Sequence, residues 1–262
     1  MPEMKNTDID LRLVQAWLKE AGDIAMGRRD SLTAACKHDG SLVTDVDHQI
    51  ETYLYKQVSQ YYPGHQILAE EGARLGNDGE YLWTIDPIDG TRAYASGLPI
   101  WGISIGILKR GEPYAGLFSM PATGELYVGV GEKAFFNNRL LSSAVMVDIQ
   151  SPTAFLAVPS NAHRLFEISF GRLRSLGSST AHLAYVARGV AVAALTRPLY
   201  IWDIAPVMSL LRATGIALIY LSGRKFELQQ LLDASPSPEP LIAAPVNLIE
   251  NIRMLVRNKP PE

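Results

Sequence analysis

The segment 83-WTIDPIDGTRAY-94 sets two aspartates, a proline between them, a glycine and a threonine within a few residues, with apolar runs on both sides. Pro87 cannot donate to a β-ladder and fixes its own φ, so the incoming strand is expected to end near Asp86. Asp86 and Asp89 then project from the end of a sheet and from the turn after it. Ile88 can bury its side chain and turn its carbonyl outward, and Gly90 leaves room where a tight turn or a ligand needs it. Thr91 opens a short helix with its hydroxyl beside free N–H groups, a seat for phosphate. Two readings stand at this point. Asp, Pro and Gly are turn formers, so a solvated turn accounts for all of them. Alternatively, Asp86, Asp89 and the Ile88 carbonyl offer the oxygen ligands that a hard divalent cation takes.

Upstream of this segment, Ile9, Leu13, Val14, Trp17, Leu18, Ala21, Ile24 and Ala25 follow helical spacing, with Thr7 or Asp8 available as N-cap and Gly27 as a stop. Residues 45–60 read as a second amphipathic helix, ended by YYPGHQ. From HQILAEE to GELYVGVGEKAFFNN the chain is a series of short β-rich runs, with KRGEP and PATGE as hairpin turns of an antiparallel sheet. Beyond Ser142 helix and strand alternate. TAFLAVP, VAALT, IALIYL and LIAAP read as strands; TAHLAYVARGV, DIAPVMSLLRATG and a final NLIENIRMLVRN read as helices. DASPSPEP reads as a flexible loop. The pattern is α+β, with an expected division into 1–144 and 145–262.

The 262 residues are 47% hydrophobic and 19% charged, with a net charge of −3 and no basic stripe, which excludes a phosphate-backbone binder. The first residues lack a signal-peptide pattern and the longest apolar run, GLPIWGISIGIL, is too short and Gly-broken to span a bilayer. Cys36 is the single cysteine, which rules out an internal disulfide and a multi-cysteine zinc site. These features lead us to expect a cytoplasmic enzyme with no membrane and no nucleic-acid partner. His38, His48, His65, His163 and His182 show no ligand spacing.

Two more segments bear on the aspartates. HQILAEEGA ends a buried strand in Glu70–Glu71, either a charged strand end or ligands; YIWDIAPVMSLLRATG sets Asp203 at a helix start, either an N-cap or a ligand. In combination, ILAEE, WTIDPIDGT and WDIAPVMSLLRATG, preceded by LVTDVDHQIE and accompanied by GEKAFFNNRLL, resemble the signature segments of the inositol monophosphatase family, Mg2+-dependent and Li+-sensitive phosphatases, in order and spacing over nearly the whole chain. The resemblance implies a layered αβαβα sandwich, usually a homodimer, acting on a small-molecule phosphomonoester. It implies that Glu70, Asp86 and the Ile88 carbonyl hold one Mg2+, that Asp86, Asp89 and Asp203 hold a second, and that Glu70 also serves a loosely held third. Thr91, paired with Asp47, would orient the attacking water, and the Gly90 and Thr91 N–H groups would bind phosphate.

Asp45 and Asp47 also suggest an aspartyl-nucleophile phosphatase, but CKHDGSLVT is a poor apolar strand to lead into them, and Cys36 has no arginine cradle downstream. A non-catalytic relative would have lost a ligand or Thr91, and none is lost. Relatives of this kind act on inositol monophosphates, histidinol phosphate, fructose 1,6-bisphosphate or 3′-phosphoadenosine phosphates. In RGVAVAALTRPLYIWD the family's Asp position is apolar (Ala191 to Ala193), and the acid that grips ring hydroxyls is replaced near Thr196. DGTRAYASGLPIWGISIGIL with MPATGE looks closer to the histidinol-phosphatase branch. Arg92 is a candidate for a second anionic group; Ser178 and Ser179 are candidates for hydroxyl contacts or for an N-cap.

Overall fold

The computed structural model describes residues 8–37, 40–76, 79–142 and 148–260. The helices are α1 (Leu11–Arg28), α2 (Asp45–Tyr61), α3 (Thr91–Ala95), α4 (Ala162–Leu165), α5 (Ser179–Ala187), α6 (Ile201–Ala213) and α7 (Ile249–Arg253). The first strands are β1 (Ala34–Cys36), β2 (Leu42–Thr44), β3 (Gln66–Ala69), β4 (Arg74–Leu75), β5 (Tyr81–Asp89), β6 (Gly102–Lys109), β7 (Glu112–Met120), β8 (Glu125–Val130), β9 (Lys133–Phe136) and β10 (Arg139–Leu140). They are followed by β11 (Leu156–Ala157), β12 (Phe166–Ile168), β13 (Leu173–Arg174), β14 (Ala193–Leu195), β15 (Ile216–Tyr220), β16 (Leu241–Pro245) and β17 (Val256–Asn258).

An eight-stranded sheet runs in the order β10-β9-β8-β7-β6-β5-β3-β4, and a five-stranded sheet in the order β13-β11-β14-β16-β15. Period-two alternation gives the large sheet two apolar faces. Ile103, Ile105 and Ile107 of β6 pack with Trp17 and Leu18 of α1 and Ile50 and Leu54 of α2. The opposite face, with Leu108, Phe118 and Tyr127, packs on α5 and α6, which also cover the inner face of the five-stranded sheet. Its outer face, with Leu156, Ala193 and Ile242, is covered by α7 through Ile249 and Ile252. The layers are therefore αβαβα within an α+β fold. No helix among the described residues is long and apolar enough to cross a membrane.

Helix α6 lies unusually close to the large sheet. Gly106, Gly116 and Gly129 are cross-strand neighbours on β6, β7 and β8. A Cβ on Gly116 would fall 1.9 Å from the Pro206 carbonyl oxygen, and one on Gly129 would fall 2.2 Å from the Leu210 nitrogen. The three glycines make a flat patch that admits helix backbone directly. Pro206, inside α6, has no N–H for the Trp202 carbonyl, and the Ser104 hydroxyl of β6 donates to that carbonyl instead at 3.2 Å.

Several expectations are corrected. Helix α1 is capped by Asp10, whose carboxylate accepts the Arg12 N–H at 2.9 Å, and it runs through Gly27. Asp8 instead accepts from Lys109 at 2.7 Å, and Thr7 lies outside the described residues. Strand β5 continues through Pro87 to Asp89, because a register shift between Asp86 and Asp89 leaves the proline out of the ladder. The last expected helix stops at Arg253; Val256 is buried and the chain pairs antiparallel with β12. DASPSPEP is tethered, since buried Ser237 accepts the Leu199 N–H at 3.0 Å and donates to the Glu239 carbonyl at 3.0 Å. The expected division at 144/145, and His38, lie outside the described residues.

Candidate active site

The bulge that carries β5 past Pro87 turns Asp86 and Asp89 to the same side as the start of α6, which the glycine patch brings close. Carboxylate oxygens of Asp86, Asp89 and Asp203 lie within 4.8 Å of one another. They line a cavity of about 420 Å3 together with Glu70, Ile88, Gly90, Thr91, Arg92, Ser178, Ser179, His182 and Arg197.

Each acid is held by named donors. Asp86 accepts the Ile88 N–H at 3.0 Å. Asp89 accepts the Ser178 hydroxyl at 2.5 Å and the Thr180 N–H at 2.7 Å, both from the start of α5. Asp203 is the third residue of α6 rather than its N-cap, and accepts the Tyr200 N–H at 2.8 Å. The Thr180 hydroxyl donates to the Asp203 carbonyl at 3.0 Å, so a single residue links two of the three acids. Gly90 has φ +92°, and a Cβ there would stand 2.9 Å from the Gly177 carbonyl oxygen; only glycine lets the Asp89 turn approach α5.

Buried like charges dictate the electrostatics. Burial, and then the charges of Glu70, Asp89 and Asp203, push the Asp86 carboxyl well above the usual carboxylate range. Burial and then Asp89 and Glu70 do the same to Asp203. Asp89 is raised by burial, against the pull of its Ser178 and Thr180 donors. Glu70 is raised by burial, against the pull of Lys37. Lys37 bridges Glu70 at 2.9 Å and Glu71 at 2.6 Å, and although burial opposes its charge, the two carboxylates hold its ammonium well above the usual lysine range. One ammonium at the rim leaves the inner three carboxylates uncompensated. An all-oxygen donor set with surplus buried negative charge fits a divalent cation.

Beside the acids, the Thr91 hydroxyl lies 3.2 Å from Asp47 Oδ1 and 2.9 Å from the Ile88 carbonyl. Asp47 is buried and raised by burial, and its other oxygen accepts the Thr44 N–H at 2.8 Å in the capping box that starts α2.

Of the expected substrate contacts, Thr196 lies off the cavity, while Ser178 and Arg92 line it with polar groups engaged by the protein. Thr196 is buried, with its hydroxyl on the Leu241 carbonyl at 3.4 Å, and does not line the cavity. Ser178 is the α5 N-cap, accepting the Ala181 N–H at 2.9 Å, so its hydroxyl is committed to Asp89 and the helix. Arg92 donates to the Gly40 carbonyl. Residues that the sequence did not single out are Lys37, Ser104, Thr180, Arg197 and Glu51, whose carboxylate accepts the Glu71 N–H at 2.7 Å and the Ala73 N–H at 2.9 Å. Pro206 within a helical pattern was the one visible signal of the free Trp202 carbonyl.

The sequence profile of the inositol monophosphatase family matches residues 8–251. The inositol-1-monophosphatase of Mesorhizobium japonicum is 31% identical, over 78% of this chain and 82% of its own length. The histidinol-phosphatase of Chlorobaculum parvum is 29% identical, over 82% and 87%. A solved IMPase/NADP phosphatase complexed with Mg2+ and phosphate has a TM-score of 0.80 at 22% identity, over 93% of each chain.

Proposed function

Because this chain belongs to the inositol monophosphatase family and is a phosphomonoesterase hydrolase, we propose that it releases phosphate from a small phosphorylated metabolite in an Mg2+-dependent reaction with water. The observation that carries the reading is the meeting of three carboxylates from β5 and α6 within 4.8 Å, with Thr91 beside them. Glu70, Asp86 and the Ile88 carbonyl would hold one ion; Asp86, Asp89 and Asp203 would hold a second; Glu70 would share in a third. When bound, such ions neutralise charge on the phosphoryl oxygens and acidify water. That the IMPase/NADP phosphatase of the same fold was solved with Mg2+ and phosphate supports this assignment.

The chain's own residues do the positioning. Thr91 has one hydroxyl proton and two acceptors within reach, and giving it to Asp47 would leave a lone pair free to accept a proton from an attacking water. The Gly90 and Thr91 N–H groups would take a phosphoryl oxygen. The donors on Asp89 and Asp203 keep those carboxylates from reorganising as charge develops. Inhibition by Li+ and a homodimer belong to the same proposal.

The test is phosphate release from a panel of phosphomonoesters with Mg2+ and with EDTA, using wild type and Asp203→Asn. We expect Mg2+-dependent release and loss of at least about a thousandfold in Asp203→Asn with an unchanged circular dichroism spectrum. Release that EDTA leaves intact, or a fully active variant, would overturn the metal reading; no release from any substrate would overturn the enzyme.

A further inference from the structure

The cavity extends well beyond the carboxylates, and its far wall has an uneven charge. The acids that line it are Glu70, Asp86, Asp89 and Asp203, all within the carboxylate cluster. Among the described residues no other carboxylate faces it, so nothing there would grip an ammonium group or take the hydrogen bonds of a polyol ring as a charged acceptor. The cationic side chains on the wall are Arg92 and Arg197. Arg92 is already engaged with the Gly40 carbonyl. Arg197 is exposed and makes no hydrogen bond or ion pair among the described residues; its charge acts on Asp203, whose carboxyl it favours in the ionised form.

The backbone on both sides of Arg197 is held firmly. On one side Thr196 is locked to β16, its N–H donating to the Leu241 carbonyl at 2.9 Å. On the other, Leu199 exchanges hydrogen bonds with Ser237, at 3.0 Å and 2.8 Å, through the tethered 233–240 turn. Between these anchors stand only Arg197 and Pro198, whose ring fixes φ. Once cations balance the acids, Arg197 adds to the cavity wall a positive charge that no carboxylate among the described residues pairs with. A planar five-donor fork is matched by a carboxylate or a phosphate better than by a hydroxyl.

We propose that Arg197 determines specificity at this site by binding a second anionic group, a carboxylate or a phosphate, on the substrate's leaving group. This rests on the phosphomonoesterase reading above.

The experiment compares kcat/KM within matched pairs: 3-phosphoglycerate against glycerol 3-phosphate for a carboxylate, and fructose 1,6-bisphosphate against fructose 1-phosphate for a phosphate. Wild type should favour the doubly anionic member of at least one pair by about tenfold to a hundredfold, the range of one charge-assisted hydrogen-bonded contact. The pair that shows the preference identifies the second group. Arg197→Gln should collapse that ratio, chiefly through KM, and Arg197→Lys should restore part of it. A wild-type enzyme without preference in either pair, or an Arg197→Gln that lowers both members equally, overturns the inference and leaves the phosphomonoesterase intact. Failure to release phosphate from all four substrates and from p-nitrophenyl phosphate overturns both.

Discussion

His182 sits at the cavity wall, 4% exposed, and its Nε2 accepts the Leu176 N–H at 3.0 Å. Burial pulls its pKa down from 6.5 to about 4, so the folded protein keeps the ring neutral. Between these values the unfolded chain binds more protons than the folded one, so this contribution is complete above pH 6.5 and is lost as pH falls toward 4. The amount is on the order of 3 kcal/mol. The raised carboxylates of the cluster take up protons in the folded state and act in the opposite direction, so the His182 contribution is expected as a difference. Between neutral pH and about pH 4.5 the melting temperature of His182→Gln, whose side-chain carbonyl accepts the same N–H without titrating, should fall less or rise more than that of wild type. Equal slopes in melts of the two proteins would remove His182 from the acid response. At this scale the acids were legible and their partners were not. Asp86, Asp89 and Glu70 announce themselves through chain-local motifs, whereas Ser178 reaches Asp89 across 89 residues, and a serine before a helix reads first as the cap it also is. Thr196 was misplaced because a position in sequence does not say which side of a strand end faces the cavity.

Helix α6 was readable from its apolar periodicity, but its distance from the sheet was not. A glycine in a strand reads as a weakness until the element lying across it is known. Gly116→Ala should push α6 off the sheet at a cost of about 3 kcal/mol or more. Because Asp203 rides on that helix, Mg2+ affinity should fall with stability, which isothermal titration of the folded variant would show. Gly27→Ala is the control: nothing lies within 4 Å of a Cβ there, and the change should be neutral or stabilise α1 by up to about 1 kcal/mol. Ser104→Ala strips the donor from the buried Trp202 carbonyl and should cost about 1–3 kcal/mol. A Ser104→Ala melt indistinguishable from wild type would mean that the Trp202 carbonyl does not depend on this donor. The final helix was misjudged for a related reason. Residues 254–258 have helical spacing, but β12 offers them a ladder that the local sequence does not reveal.

Across the whole molecule, five layers hold a cluster of like charges in their interior, a repulsion that a bound cation would relieve. Mg2+ at about 100 times its dissociation constant should stabilise the fold by about 3 kcal/mol, or raise Tm by roughly 5–10 °C for a chain of this size. A scan with EDTA and with Mg2+ that shows no difference would argue against a cation in the cluster. The five-layer arrangement was implied by the family resemblance, whereas the change from β-rich runs to alternating helix and strand marked only where the large sheet ends and the second part begins. The glycine patch carries a further consequence. The gap between the aspartates of β5 and that of α6 is gauged by main chain resting on main chain, with no side chain interposed. A fold spaced in this way tolerates extensive sequence drift around a fixed site, and the same architecture recurs at 22% identity with a TM-score of 0.80.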